Sequence, residues 1–211
     1  MPFLLTFGDS NTHGTPPIVV RGDYHRYGAQ IRWPQLCLRA LGPEWELAEE
    51  GLPGRTAAFD DPVMGDHMNG RQGLRIALQS HGPIDVLTIM LGTNDVKARF
   101  ASTAQMVLAG VAGLVDVAQS IDMQQRHGGF RILLICPPPV QEVGPLQGEF
   151  YGAAARSQAL APLYRDFAAT RGIGFLDAGV VISVSPVDGV HFEAEAHAAL
   201  AQAVSGAIRA L

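Results

Sequence analysis

The sequence predicts an α/β protein: a doubly wound, three-layer α/β/α sandwich built on a parallel sheet. Short apolar runs alternate with longer segments of helical period along the whole chain, the order that places helices on both faces of one sheet. Two of the runs, residues 85–91 and 131–136, are almost continuously apolar, as strands covered on both faces must be. The 24 glycines and 14 prolines among 211 residues suit many tight connections between such elements.

Taken in order, residues 3–7 form the first strand, stopped by Gly8. Residues 33–41 form a helix, and 45–48 a second strand poor in β-formers. A helix over 73–80 leads to the strand at 85–91. Residues 102–126 read as one long helix, because Met106, Ala109, Val111, Gly113, Leu114 and Val117 recur at helical spacing. After the strand at 131–136 come a helix over 153–171, a short strand at 174–176 and an Ala-rich helix over 193–211. Glu193 and Glu195 in the first turn of that last helix complement its dipole. No repeat, low-complexity tract or linker interrupts the pattern, so one domain over 1–211 is expected. The connections 13–32, 54–71 and 137–152 are long and leave from the carboxyl ends of strands, where open α/β sheets bind their ligands.

A net charge of −5 supplies no basic stripe for nucleic acid or an anionic membrane. Cys37 and Cys136 lie in apolar runs far apart in the chain and read as buried free thiols, although the sequence leaves a disulfide open. The opening residues, Met1 to Phe7, lack a basic region and a cleavage site, and no run approaches the ~20 apolar residues of a membrane span. The expectation is a cytoplasmic chain.

Four short motifs carry chemistry. Gly8-Asp9-Ser10-Asn11 ends the first strand, where Ser10 is either a helix cap or a hydroxyl presented to a pocket. Gly54 follows the second strand and offers either a plain turn or an N–H with no side chain in front of it. Gly92-Thr93-Asn94-Asp95 follows the third, where Asn94 either caps a helix or aims its amide into the pocket. Asp188-Gly189-Val190-His191 precedes the last helix, and the intervening glycine lets the carboxylate turn back to hold the imidazole. Each motif alone is weak. Together they supply nucleophile, base, orienting carboxylate and oxyanion donors, the parts that acyl transfer needs.

On these residues the sequence resembles the SGNH (GDSL-type) hydrolases. Within them it resembles the bacterial arylesterase/acyltransferase group, through Glu49-Glu50-Gly51-Leu52, residues 89–95, Pro137-Pro138-Pro139, Asp177-Ala178-Gly179 and His191-Phe192. The resemblance implies a flavodoxin-like fold with five parallel strands. It also implies Ser10 as nucleophile, His191 as base and Asp188 as its orienting partner. The oxyanion hole would be the N–H groups of Ser10 and Gly54 with the Asn94 amide. One departure is Glu50, which stands where many members of the superfamily carry Asn.

The resemblance further implies a closed homo-oligomer, octamers included, whose neighbouring subunits narrow the entrance and favour short acyl chains and alcohol acceptors. Asp9, Asn11 and Thr93, beside the motifs, and Trp33, Phe59, Phe100 and Phe150, in or beside the long loops, are candidate substrate-binding walls. Arg55 and Lys97 follow motifs closely enough to brace them. Asp60, Asp61, Asp66 and His67 form the one cluster suggestive of a metal, but a Pro/Gly-rich solvated loop collects the same residues, so neither metal nor cofactor is expected.

The function so predicted is a serine esterase acting on short-chain or aryl esters, a small-molecule substrate with no nucleic acid or membrane involved. A carbohydrate acetylesterase is the nearest alternative, and a non-catalytic flavodoxin-like binding module the alternative from another class. A nucleotide-binding domain is excluded because no phosphate-binding glycine pattern follows the first strand.

Overall fold

The computed structural model describes all 211 residues, Met1–Leu211. Its frame is a sheet of five parallel strands: β1 (Phe3–Gly8), β2 (Glu46–Gly51), β3 (Val86–Met90), β4 (Arg131–Cys136) and β5 (Gly174–Asp177), in the order β2-β1-β3-β4-β5. The helices are α1 (Ser10–His13), α2 (Trp33–Leu41), α3 (Gly70–Ser80), α4 (Ala104–Ala118), α5 (Ile121–His127), α6 (Ala153–Gln158), α7 (Leu160–Arg171) and α8 (Ala194–Ala210). The direction of winding reverses at β1, which opens a crevice beyond its carboxyl end.

The sheet separates two cores because strand side chains alternate between its faces. Leu5, Phe7, Leu87, Ile89, Ile132 and Leu134 pack with α3, α4 and α7. Leu4, Val86, Met90, Leu133 and Ile135 pack with α2 and α8. Each fully buried Leu, Ile or Phe contributes roughly 1.5–3 kcal/mol of transfer free energy. Cys37 and Cys136 are free and buried in different cores, one on each side of the sheet, so they cannot pair.

Two expected helices are broken. The span expected over 102–126 divides into α4 and α5, bent by 51°. At the break Ser120 takes an extended conformation and its hydroxyl donates back to Val117 O (2.8 Å), while the Gln119 side chain is held by Arg171 of α7. The span expected over 153–171 divides at Ala159 into α6 and α7. Pro162, in the first turn of α7, has no N–H to continue a ladder from α6. The helix expected from residue 73 starts earlier, at Gly70, where the Asn69 side chain accepts the Arg71 N–H (3.1 Å). β2 runs on to Gly51, because it is paired along its length by β1 despite weak propensity. No single helix is long and apolar enough to cross a membrane; α4 and α5 qualify only as a bent pair, and α4 buries its apolar face in the core.

Where β2 ends, the α1 backbone lies directly against it: a Cβ on Gly51 would sit 2.2 Å from the His13 nitrogen. Backbone cannot yield as a side chain can, so Gly51→Ala is expected to lower the melting temperature by roughly 5 °C. Gly206, exposed in α8, has open space where a methyl group would go, with nothing within 4 Å, and gives the opposite sign. Gly206→Ala is expected to raise it by about 2–4 °C, through helix propensity alone. Thermal unfolding of both variants followed by circular dichroism checks the pair.

Candidate active site

Ser10 stands at the first position of α1, immediately after β1. The capping role belongs to its neighbour: the Asp9 side chain accepts the Asn11 N–H (2.9 Å), and Gly14, in the left-handed region, closes the single turn. The Ser10 hydroxyl is thereby left to face His191, with Oγ 3.0 Å from Nε2. On the other side of the ring, Nδ1 lies 2.6 Å from Asp188 Oδ2.

Asp188 is fully buried and saturated with donors. Its Oδ1 accepts the N–H groups of Val190 and His191 (2.9 Å each), and its Oδ2 accepts His191 Nδ1–H and the Ile18 N–H (2.7 Å). Burial works to raise the carboxyl, but the hydrogen bond and charge of His191 and the backbone donors outweigh it and hold Asp188 below the usual carboxylate range. An ionised carboxylate only accepts, so Nδ1 carries the ring proton and Nε2 is free to accept from Ser10. Gly189 makes the tight return possible. Its φ is +73°, and a Cβ there would lie 1.9 Å from Gln141 O.

Gly54 lines the same cavity with a φ of +91°, and its N–H meets no protein acceptor. Asn94 also lines it. The Asn94 amide nitrogen donates to Arg55 O (3.0 Å) and, at the looser distance of 3.4 Å, to Asp9 Oδ2. Asp95 beside it accepts the Ala57 N–H with both oxygens (2.9 and 3.0 Å), which fixes this segment to the one carrying Gly54. Burial pushes the carboxyls of Asp9 and Asp95 up, to about 6 and about 7. Arg55 braces the strand ends: its guanidinium donates to Gly8 O (3.0 Å) and Glu50 O and stacks over the Phe7 ring at 4.1 Å. Glu50, at the position where the family pattern has Asn, pairs its side chain with His81 (2.7 Å).

These groups open on a cavity of about 200 Å³. Ser10, His191, Gly54 and Asn94 line it together with apolar Ile18, Met64 and Phe150 and polar Asp23, Tyr24, Lys97 and Glu149. A larger surface groove of about 570 Å³, lined by Gln119, Arg131, Arg171 and Gly174 among others, has no acidic or nucleophilic side chain in its lining.

Four expected substrate contacts do not reach the cavity. Trp33 is fully buried between α2 and α8, with its indole N–H on Asn11 O (3.1 Å). Asn11 is turned away and donates to Val190 O (3.1 Å), Asp9 is spent on its cap, and Thr93 is buried outside the lining. Each is a framework residue: the tight α1 turn and the β3 terminus carry Asp9, Asn11 and Thr93 inward, and α2 packs Trp33 against α8. Of the aromatic candidates Phe150 alone reaches the cavity; Phe59 and Phe100 stack on one another (5.0 Å). Lys97 lies over Phe150, 3.5 Å from Glu149. In the acidic loop, Asp61 accepts the Val63 and Met64 N–H groups and pairs with Arg99 (2.7 Å), and Asp60 accepts from Asn69 (2.8 Å). The Ile18 N–H, Tyr24 and Glu149 lie in the connections expected to wall the pocket, but nothing in residue type singled them out; chain folding delivers them.

A parallel α/β sandwich whose carboxyl edge lines up a serine, an imidazole and a buried carboxylate defines a hydrolase of the SGNH type. The model of the GDSL-like lipase/acylhydrolase family matches residues 6–199, and the chain belongs to that family. Among solved structures, the M. smegmatis aryl esterase is 34% identical at a TM-score of 0.94, with 100% of both chains covered. A carbohydrate acetylesterase from Sinorhizobium meliloti is 33% identical at a TM-score of 0.93, covering 100% of this chain and 99% of that one. Comparison with curated proteins found no match.

Behind the site His197 of α8 is fully buried, its Nδ1 accepting the Trp33 N–H (3.3 Å). Burial, then the charges of His191 and Arg32, push it down to about 4. Between pH 6.5 and 4 the unfolded chain binds a proton that the native site refuses. Stability therefore falls as pH drops through that window and stops falling below it. Chemical denaturation at stepped pH should show wild type losing about 3 kcal/mol more than His197→Phe between those limits.

Proposed function

We propose that the chain is a serine esterase acting on short-chain or aryl carboxylic esters through an acyl-enzyme. The observation that carries the reading is the unbroken line Asp188–His191–Ser10, at 2.6 and 3.0 Å, ending on a cavity of about 200 Å³. Ser10 Oγ attacks the ester carbonyl as its proton passes to His191 Nε2, and Asp188 stabilises the imidazolium that results. The Ser10 and Gly54 N–H groups and the Asn94 amide stabilise the oxyanion. His191 then returns the proton to the leaving alkoxide. Water, or an alcohol in a transfer reaction, attacks the acyl-enzyme by the same path reversed. All these groups belong to the chain, and the scheme calls on no metal or cofactor.

The cavity is smaller than the roughly 300 Å³ at which drug-sized sites begin, which favours a small acyl group. Carbohydrate acetyl esters are a second reading, favoured by Asp23, Lys97 and Glu149 on the cavity wall and by the similarity to the Sinorhizobium meliloti enzyme. Hydrolysis rates across acyl lengths, aryl acetates and acetylated sugars separate the two.

Ser10→Ala is expected to abolish labelling by a fluorophosphonate probe; a labelled variant places the nucleophile elsewhere, and a wild type that neither labels nor turns over sinks the reading in favour of a binding module. Asn94→Ala removes one oxyanion donor, worth about 2.7–4 kcal/mol, and is expected to lower kcat by roughly two to three orders of magnitude with KM little changed. An effect on KM alone would leave Asn94 a framework residue.

The proposal includes a homo-oligomer, octamers among the possible forms, acting in the cytoplasm. Val19, Val20, Tyr24, Val63, Tyr151 and Val187 are exposed on the loops around the mouth, and apolar surface gathered in this way suits burial against a second copy. Buried free thiols suit a reducing compartment. Light scattering coupled to gel filtration should give a mass several times 22.5 kDa; a monomer removes this part.

A further inference from the structure

The segment 15–31 does more than wall the cavity. We infer that it is a strap whose Ile18 main-chain N–H acts as a positioning donor for the acid–base pair, setting how strongly Asp188 stabilises a protonated His191. The inference rests on the esterase reading of the site and extends it to a residue 170 positions away in sequence.

Asp188 Oδ2 receives two donors, His191 Nδ1–H at 2.6 Å and the Ile18 N–H at 2.7 Å. The other oxygen is filled by the N–H groups of Val190 and His191, which lie in its own turn. Ile18 is thus the sole donor to Asp188 from outside that turn, and it competes for the oxygen that faces the ring. A second charge-assisted hydrogen bond draws charge off Oδ2 and weakens its pull on the imidazolium.

The strap is built to present this donor. Pro16 and Pro17 have no N–H of their own and fix φ on the approach, so Ile18 carries the first main-chain donor after them. Beyond Ile18 the strap is tied down by Arg21 on Glu149 (3.0 Å), Tyr24 on the His13 ring (3.2 Å), Arg26 on His13 O (2.8 Å) and the Tyr27 N–H on Gly14 O (2.8 Å). The Ile18 side chain lines the cavity. One residue therefore touches the substrate space with its side chain and the catalytic carboxylate with its backbone.

Other ionisable groups face the pair: Asp9 from the end of β1, His197 from α8, and Asp23, Lys97 and Glu149 across the cavity. None of them hydrogen-bonds Asp188.

The test removes that N–H and separates its loss from loss of the side chain. Incorporating the α-hydroxy analogue of isoleucine at position 18 turns the amide into an ester; Ile18→Pro is the genetically encoded counterpart, and Ile18→Val keeps the donor. The acid limb of kcat/KM against pH is expected to move upward by about half a unit to one unit in the ester and proline variants. It should stay in place in Ile18→Val. Nitrogen NMR titration of the His191 ring in the same proteins reads the same shift without turnover, so failure of the esterase reading is told apart from failure of this one. An unmoved or downward midpoint in the ester variant overturns the inference. So does an equal shift in Ile18→Val, which would assign the effect to the side chain.

Discussion

All five strands run in one direction, and the local chemistry follows from that constraint. A parallel pair cannot be closed by a hairpin, so each strand is followed by a crossover and each crossover begins at the same edge. The ends of β1, β2 and β3 lie side by side there. They bring Ser10, Gly54 and Asn94 within one cavity, although these residues are far apart in the chain. The return to α8 brings Asp188 and His191 to the same place. Close backbone packing at Gly51 and Gly189 fixes the approach of these loops, since neither site has room for a Cβ.

The site is buried and crowded with polar groups, and burial decides what each does. Asp9 and Asp95 lose their water and are pushed upward, whereas Asp188, equally hidden, stays low because donors fill both its oxygens. Three carboxylates of the same intrinsic acidity are thereby separated into one anion that polarises a ring and two that fix backbone. Asp9 caps the turn that carries Ser10, and Asp95 ties the Asn94 segment to that of Gly54.

The strap gives this edge its asymmetry. It crosses from α1 to the start of α2, covers the cavity with Ile18, Asp23 and Tyr24, and is pinned at Glu149, which also pairs with Lys97 and Arg99. Its seat on Asp188 links a wall of the cavity to the carboxylate that holds the His191 ring.

Much of this was legible in the chain. Apolar runs buried on both faces announce parallel strands by composition alone, and three of the four motifs follow strand ends because turn-forming residues cluster there, the fourth preceding α8. Local signals failed where distant contacts decide. The helix break at Ser120 depends on Arg171 of a neighbouring helix, whereas the break at Ala159 has a local mark in Pro162. Trp33 reads as a wall by its place beside a long loop and is core, because helix α8 covers it. The Ile18 donor is a backbone group and leaves no mark in residue identity. The sequence by itself determined the fold class and the family, since these follow from periodicity and from short motifs of fixed residue type. Only the tertiary structure decided which way each side chain points, how wide the cavity is and what surrounds Asp188, because those depend on contacts between segments that the linear order does not relate.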